Sequence, residues 1–160
     1  MSVAISARQR VLGVSESDAS DPLSGTVIGR MRLAWSPKMS GPGAISESQY
    51  QAAQQYIRDV RAYRVAIEAP RSTKAASYDG ASGRGVPVDP EWAQSAVMRY
   101  GRVRKAVMEC QANIQGGPDL IEVLDVFLIQ DKHIYNLEGD LRVALNALQK
   151  YYGVWCPSKG

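Results

Sequence analysis

A single histidine limits the imidazole chemistry that this sequence can perform. His133 lies in the polar segment 131–136, and Asp131 two residues away is a local neighbour rather than a general acid–base partner. A solvated turn histidine is the simpler interpretation. The only cysteines are Cys110 and Cys156, which excludes most zinc sites and the Ser-His-Asp and Cys-His schemes that do not use His133. The sequence therefore predicts a non-enzymatic protein.

Carboxylates at helical spacing are the other candidates for chemistry. Asp119, Glu122 and Asp125 stand three residues apart along one edge of a predicted helix. Such acids can bind a metal, but acids at a helix N-terminus more often complement the helix dipole. The glycines of segment 80–85 lie between no strand–helix pair, so they form no dinucleotide-binding loop. We expect neither a metal nor a cofactor.

Composition indicates a soluble globular chain. Its 160 residues are 45% hydrophobic and 22% charged, with a formal net charge of +3. This length fits one compact domain, or a core with flexible ends. No run approaches the roughly 20 apolar residues that cross a bilayer, and residues 1–10 lack a secretory signal. Two scattered cysteines form no disulfide framework, so we expect reduced thiols, a cytoplasmic location and no membrane partner.

Two long helices follow from caps and periodicity. Ser46 and Gln49 match a capping box, and an apolar stripe then runs to the stop at Pro70, which predicts a helix at 46–68. Asp89 followed by Pro90 predicts the start of a second helix. Its stripe predicts packing along the whole length; the members are Trp92, Ala96, Tyr100, Val103, Val107, Cys110 and Ile114.

The C-terminal third predicts a helical pair. Segment 119–130 is apolar nearly all round, which indicates a buried central helix, although a strand at 123–129 is the competing interpretation. After a polar turn at 131–136, leucines on one face predict a helix at 137–152 that ends at Gly153. The predicted fold is all-α, with about four helices packed as a small bundle and a C-terminal helix-turn-helix-like pair.

The remaining segments are expected to flank this bundle. Residues 1–26 have few large apolar side chains and predict a disordered arm, and 154–160 predicts a frayed tail around a helical domain at 27–153. Within that domain, 69–88 is rich in Gly, Ser and Pro and predicts a flexible loop. For 27–35 a short helix or a packed extended segment is favoured over a lone strand.

The C-terminal pair suggests DNA binding. A buried helix, a short turn and an amphipathic helix match the helix-turn-helix pattern, in which the polar face of the last helix enters the major groove. The expected base or phosphate donors are Arg142, Asn146 and Gln149, and the expected phosphate contacts are Lys132, His133, Tyr135 and Lys150. On this interpretation, loss of Arg142 weakens DNA binding with little change in the melting temperature.

Two features keep other interpretations open. Glu138 and Asp140 near the start of the last helix repel phosphate, and a plain helical hairpin shows the same pattern. Additional backbone contacts are expected from the second helix, through Arg99, Arg102, Arg104 and Lys105, together with cations of the 69–88 loop. A merely solvated basic face is the alternative for this group.

Two short stretches carry a resemblance. The first is 28–33 (IGRMRL) followed by Ile45-Ser46 and Gln49-Tyr50, and the second is the close at 141–153 (LRVALNALQKYYG). Together they resemble small helical proteins of unassigned role from phages and prophages. The closing segment also resembles the last helix of sigma-region-four-like phage regulators. This resemblance implies a DNA-associated transcription regulator.

The function expected from the sequence is therefore that of a phage- or prophage-type DNA-associated regulator, with DNA as a partner. The alternative is an oligomeric phage assembly component, such as a small terminase subunit or adaptor, with a protein partner or self-association.

Overall fold

Helices account for the regular structure of the described residues. A computed structural model describes residue 10 and residues 21–38, 41, 43–69 and 88–153. The helices are α1 (Val27–Leu33), α2 (Glu47–Glu68), α3 (Pro90–Ala112), α4 (Leu120–Leu124) and α5 (Glu138–Tyr152). A π-helical turn at Asp125–Ile129 continues α4, and 3-10 turns occupy Pro22–Gly25 and Tyr135–Leu137. These ranges contain no strand, which confirms the all-α prediction.

The predicted helix ends are set by local capping. The Ser46 hydroxyl accepts a hydrogen bond from the Gln49 N–H at 3.2 Å, and the Gln49 carboxamide oxygen accepts one from the Ser46 N–H at 2.9 Å. At α3, Asp89 accepts a hydrogen bond from the Glu91 N–H at 3.2 Å, and Pro90 occupies the first turn. Gly153 ends α5 with φ of 68°, a left-handed conformation that suits glycine. The predicted caps are confirmed.

The segment 123–129 is helical, so the competing strand interpretation is wrong. Phe127 and Leu128 in the π-helical turn are buried, and the Gln130 N–H donates to the Asp125 carbonyl at 2.9 Å. The wider π turn rotates the apolar side chains so that the end of the helix still faces the core. Asp131 follows with a φ of 54° and starts the connection to α5.

The N-terminal boundary of the folded part lies earlier than predicted. The sequence predicts that residues 21–26 belong to the disordered arm, yet Asp21 caps the turn Pro22–Gly25 and Ser24 is fully buried. Gly29 fits closely against this turn, because a Cβ there would lie 1.8 Å from the Leu23 carbonyl oxygen. Apart from residue 10, the rest of the predicted arm lies outside the described residues, as do nearly all of the 69–88 loop and the 154–160 tail.

The core forms where α5 meets α2, α3 and α4. Its fully buried members include Leu141, Leu145, Leu148, Phe127, Leu124, Val103, Val107, Ala52 and Ala53. The sequence predicts that the α3 stripe packs along its whole length, and this prediction is wrong at both ends. Trp92 and Ile114, near the two ends, are 37% and 38% exposed. The partner helices cover only the middle of α3.

Val103 tests this core directly, since its side chain is 0% exposed. We expect Val103→Asp to lower the free energy of unfolding by about 3–5 kcal/mol, because it buries a carboxylate without a partner. Urea denaturation measures the change. The matched control is Ser95→Asp on the exposed side of the same helix. Equal losses for the two variants would contradict the core assignment of Val103.

Tyrosines connect α2 to its neighbours through ring stacking and one partly buried hydrogen bond. Tyr63 stacks on Tyr100 of α3 with a centroid distance of 4.4 Å. The Tyr152 hydroxyl of α5 donates a hydrogen bond of 2.6 Å to the Asp59 carboxylate. Burial raises the pKa of Tyr152 well above its ordinary value, and the hydrogen bond to Asp59 adds to that shift. Burial also raises the pKa of Tyr56, and nearby Tyr100 adds to that shift.

These shifts predict a loss of stability in base. Unfolded tyrosines lose their protons near pH 10, whereas the folded chain holds those of Tyr56 and Tyr152 to higher pH. The unfolded state then binds fewer protons, so the free energy of unfolding falls as the pH rises above about 10. Urea titrations between pH 8 and pH 11 measure the slope. Tyr152→Phe should flatten it, and an unchanged slope would contradict this origin.

Candidate nucleic-acid interface

The C-terminal unit of α4, the connection and α5 carries an excess of acids. Residues 119–153 include six Asp or Glu residues and three Lys or Arg residues. DNA binding gains most of its affinity from cations placed against phosphates. The unit predicted to enter the major groove therefore has a net charge that opposes binding.

Two residues of the connection between the π-helical turn and α5, Asp131 and His133, contact residues in other elements of the fold. The Asp131 carboxylate accepts a hydrogen bond of 2.7 Å from the Val27 N–H at the start of α1. His133 Nε2 lies 2.6 Å from the Glu138 Oε1, and the His133 ring contacts Phe127 and Tyr135 at centroid distances of 5.9 and 4.5 Å. His133 is thus tied to Glu138 at the start of α5 rather than only solvated.

Glu138 is a residue whose role the sequence did not reveal. From its place near the start of the last helix, the sequence predicts that Glu138 repels phosphate, but its side chain is buried beneath the segment that leads into α2. A Cβ on Gly43 would lie 2.9 Å from the Glu138 Oε1, so glycine permits this close approach. A spacing of five residues between His133 and Glu138 gave no recognisable signal for the pair.

Two expected base donors of α5 contact this same segment. The Arg142 guanidinium donates hydrogen bonds to the Gly41 and Ala44 carbonyl oxygens at 3.0 and 2.9 Å. The Asn146 carboxamide oxygen accepts one of 2.8 Å from the Gln49 side chain in the first turn of α2. To contact a base edge, Arg142 would have to give up both bonds. These contacts make the face around Arg142 structural.

The other expected contacts in this unit remain accessible to different degrees. Tyr135 is 77% exposed, Lys132 and Lys150 are exposed, and Gln149 is half-buried. Lys150 lines a groove between α5 and α3 together with Glu109 and Tyr151. The structure therefore places Lys150 beside α3, whereas Lys132 and His133 lie at the start of the connection.

The cations of α3 lie closer together in sequence than those of the C-terminal unit. Arg99, Arg102, Arg104 and Lys105 fall within two turns, and all four are exposed. Arg99 lies 3.8 Å from Asp59 with its own side chain 48% exposed, and Lys105 lies 3.9 Å from Glu109 at the surface. Such solvated pairs are weak and can exchange for a phosphate. Within the described residues, Arg102 and Arg104 have no ion-pair partner.

The three acids at helical spacing line a cleft of about 310 Å³ between α2, α3 and α4. Asp119 accepts a hydrogen bond from the Ile121 N–H at 2.8 Å and so caps α4. Asp125 pairs with Arg64 at 3.5 Å and accepts a hydrogen bond from Gln130. Although all three line the cleft, no three His, Cys, Asp or Glu side chains in the ranges that the structure describes are placed so that they could hold a metal ion together.

Comparison with protein-family models, curated proteins and solved structures finds no match for this chain. Among the described helices, none combines the length and the apolar character required to span a bilayer.

Arg142 gives a test of the structural face of α5. Because its guanidinium bonds two carbonyls, we expect Arg142→Ala to lower the free energy of unfolding by about 1.5–3 kcal/mol. This replaces the sequence-based expectation of a nearly unchanged melting temperature. Urea denaturation measures the loss, and Lys150→Ala at an exposed position of the same helix is the control. A loss no larger than that of the control would contradict the structural role.

Proposed function

We propose that the protein is a non-enzymatic DNA-associated protein that binds the phosphate backbone through α3. The observation that carries the proposal is the group of four exposed cations between Arg99 and Lys105, two of which have no ion-pair partner among the described residues. Phosphate neutralisation by such side chains releases counterions, which drives association regardless of sequence.

The charge distribution favours α3 over α5 as the element that contacts DNA. Residues 99–105 include four cations and no acid, whereas residues 119–153 carry more acids than bases. Arg142 and Asn146 bond to Gly41, Ala44 and Gln49, so few side chains of α5 remain for base edges. Binding should therefore discriminate weakly between sequences.

A regulatory role in transcription, with a phage or prophage origin, belongs to the proposal through the sequence resemblance. A regulator that binds mainly to the backbone needs a further source of specificity, such as DNA shape or a protein partner. Cytoplasmic location is part of the same proposal, since DNA is present there. The non-enzymatic assignment rests on the scarcity of catalytic residue types in the sequence.

An assembly component is the second candidate function. It is favoured by apolar side chains on the outer face of α3, where Met98 and Met108 are 50% and 54% exposed. A partner that packs along this side of α3 would remove both side chains from water.

Neutralisation of the α3 cations tests the proposal. We expect Arg102→Gln/Arg104→Gln to weaken binding of a labelled duplex about tenfold or more at roughly 50 mM salt, and to reduce the salt slope by about 2. Fluorescence anisotropy with two duplexes of equal length and different sequence measures both values. The loss should be the same for the two duplexes.

Lys132→Gln/Lys150→Gln removes the same charge from the C-terminal unit and is the matched control. We expect it to change the affinity less than the α3 variant does. A larger loss in the control would place the DNA contact on the C-terminal pair. No binding by the unmodified protein at tens of micromolar would remove the DNA proposal altogether.

A further inference from the structure

A second group of cations lies on α2. Residues 48–67 of this helix include three arginines, Arg58, Arg61 and Arg64, and one acid, Asp59. The Asp59 side chain is only 19% exposed and is hydrogen-bonded to α5, so it lies away from the outer surface of α2. The exposed charge of α2 between its two ends is therefore positive.

Two of these arginines are placed to bind an external anion. Arg64 pairs with Asp125 at 3.5 Å. Arg58 and Arg61 are exposed, and over the part of the chain that the structure describes neither has an ion-pair partner. The guanidinium group presents a planar fork of donors that matches the oxygens of a phosphate. Arg58 and Arg61 therefore define the α2 site.

The α2 site points away from the core. Arg58 lies two positions from Tyr56 and two from Val60, both of which are buried. Two positions correspond to about 200° of rotation around an α-helix, so Arg58 stands opposite the buried side. Arg61 follows three positions later, within about 60° of Arg58 and about 4.5 Å further along the axis. The two guanidinium groups thus share the outward side of α2.

The outward side of α3 faces in a different direction. Lys105 stands two positions from Val103 and two from Val107, which are fully buried. The inner sides of α2 and α3 meet each other, with Tyr63 stacked on Tyr100 at a centroid distance of 4.4 Å. The axes of two packed helices lie about 8–10 Å apart, so the outward surfaces are about 20 Å apart and turned away from each other. A straight duplex on one surface does not reach the other.

We propose that the α2 site binds a second nucleic-acid backbone, so that one copy of the chain joins two duplexes. This inference rests on the proposed binding of DNA by α3 and adds a site to it. Charge complementarity identifies the occupant, since both outward sides offer exposed cations to a polyanion. DNA is stiff over about 150 base pairs, so a short duplex does not wrap around the bundle to occupy both sites.

The α2 site is the weaker of the two. It contributes two arginines, whereas α3 presents four exposed cations between Arg99 and Lys105. Affinity rises with the number of phosphates that a site neutralises, so the first duplex binds to α3 and the second to α2. The weaker binding that remains in Arg102→Gln/Arg104→Gln includes the contribution of the α2 site.

A bridging assay with the full chain tests the α2 site. A short biotinylated duplex is held on beads, and a labelled duplex of unrelated sequence is captured only when the protein joins the two. At roughly 50 mM salt we expect capture to rise with protein concentration. It should fall again once protein exceeds total duplex, because each duplex then carries its own copies. Capture by self-association of bound copies would not fall in this way.

The decisive variant removes the α2 cations. Arg58→Gln/Arg61→Gln should lower capture about tenfold or more. Its affinity for a single duplex in fluorescence anisotropy should change by less than about twofold, because α3 is intact. Lys132→Gln/Lys150→Gln removes the same charge from the C-terminal unit and should keep most of the capture. Far-UV spectra check that each variant is folded.

The outcomes separate the α2 site from the proposed function. The α2 site would be overturned by binding of one duplex without capture of a second, by capture that survives Arg58→Gln/Arg61→Gln, or by capture that does not fall at excess protein. Each of these results would leave the contact through α3 in place. No binding of any duplex by the unmodified chain would overturn both.

Discussion

Burial of one face of α5 is the constraint on which the rest of the structure depends. Leu141, Leu145 and Leu148 are fully buried, and α2, α3 and α4 all pack against this helix. Removal of such side chains from water is the main favourable contribution to folding. Burial of the leucines fixes the rotation of α5 about its own axis. The polar residues beside the leucines are thereby brought against the neighbouring elements.

Those polar residues then hold the chain around α5. Arg142 and Asn146 bond the segment that enters α2, Glu138 lies under Gly43 with His133 beside it, and Tyr152 bonds Asp59. The contacts on α2 run in the same order along both helices, from Gln49 with Asn146 to Asp59 with Tyr152, so α2 and α5 run in the same direction. Because these groups satisfy one another, the helix expected to read DNA is largely occupied in maintaining the fold.

Surface chemistry is consequently concentrated on α3. Only its inner stripe packs, so its outer half presents cations, two methionines and an open glycine backbone to solvent. The cations suit an anionic polymer.

Local signals in the sequence determined most of the helices. The Ser46–Gln49 box, Asp89 before Pro90, the Gly153 terminus and the leucine spacing of α5 are all confirmed, because capping and amphipathic periodicity act over a few residues. The short helix α1 and the exposed ends of α3 were not determined in this way. Their state depends on which partner reaches them.

The roles of polar residues were decided only by the tertiary structure. Nothing near Arg142 in sequence indicates that its partners lie about a hundred positions earlier, at Gly41 and Ala44. The same holds for Asn146 with Gln49 and for Asp131 with Val27. A polar side chain on an amphipathic helix looks the same in sequence whether water or a distant carbonyl satisfies it. Only the packing of the leucines beside it brings that carbonyl within hydrogen-bond distance.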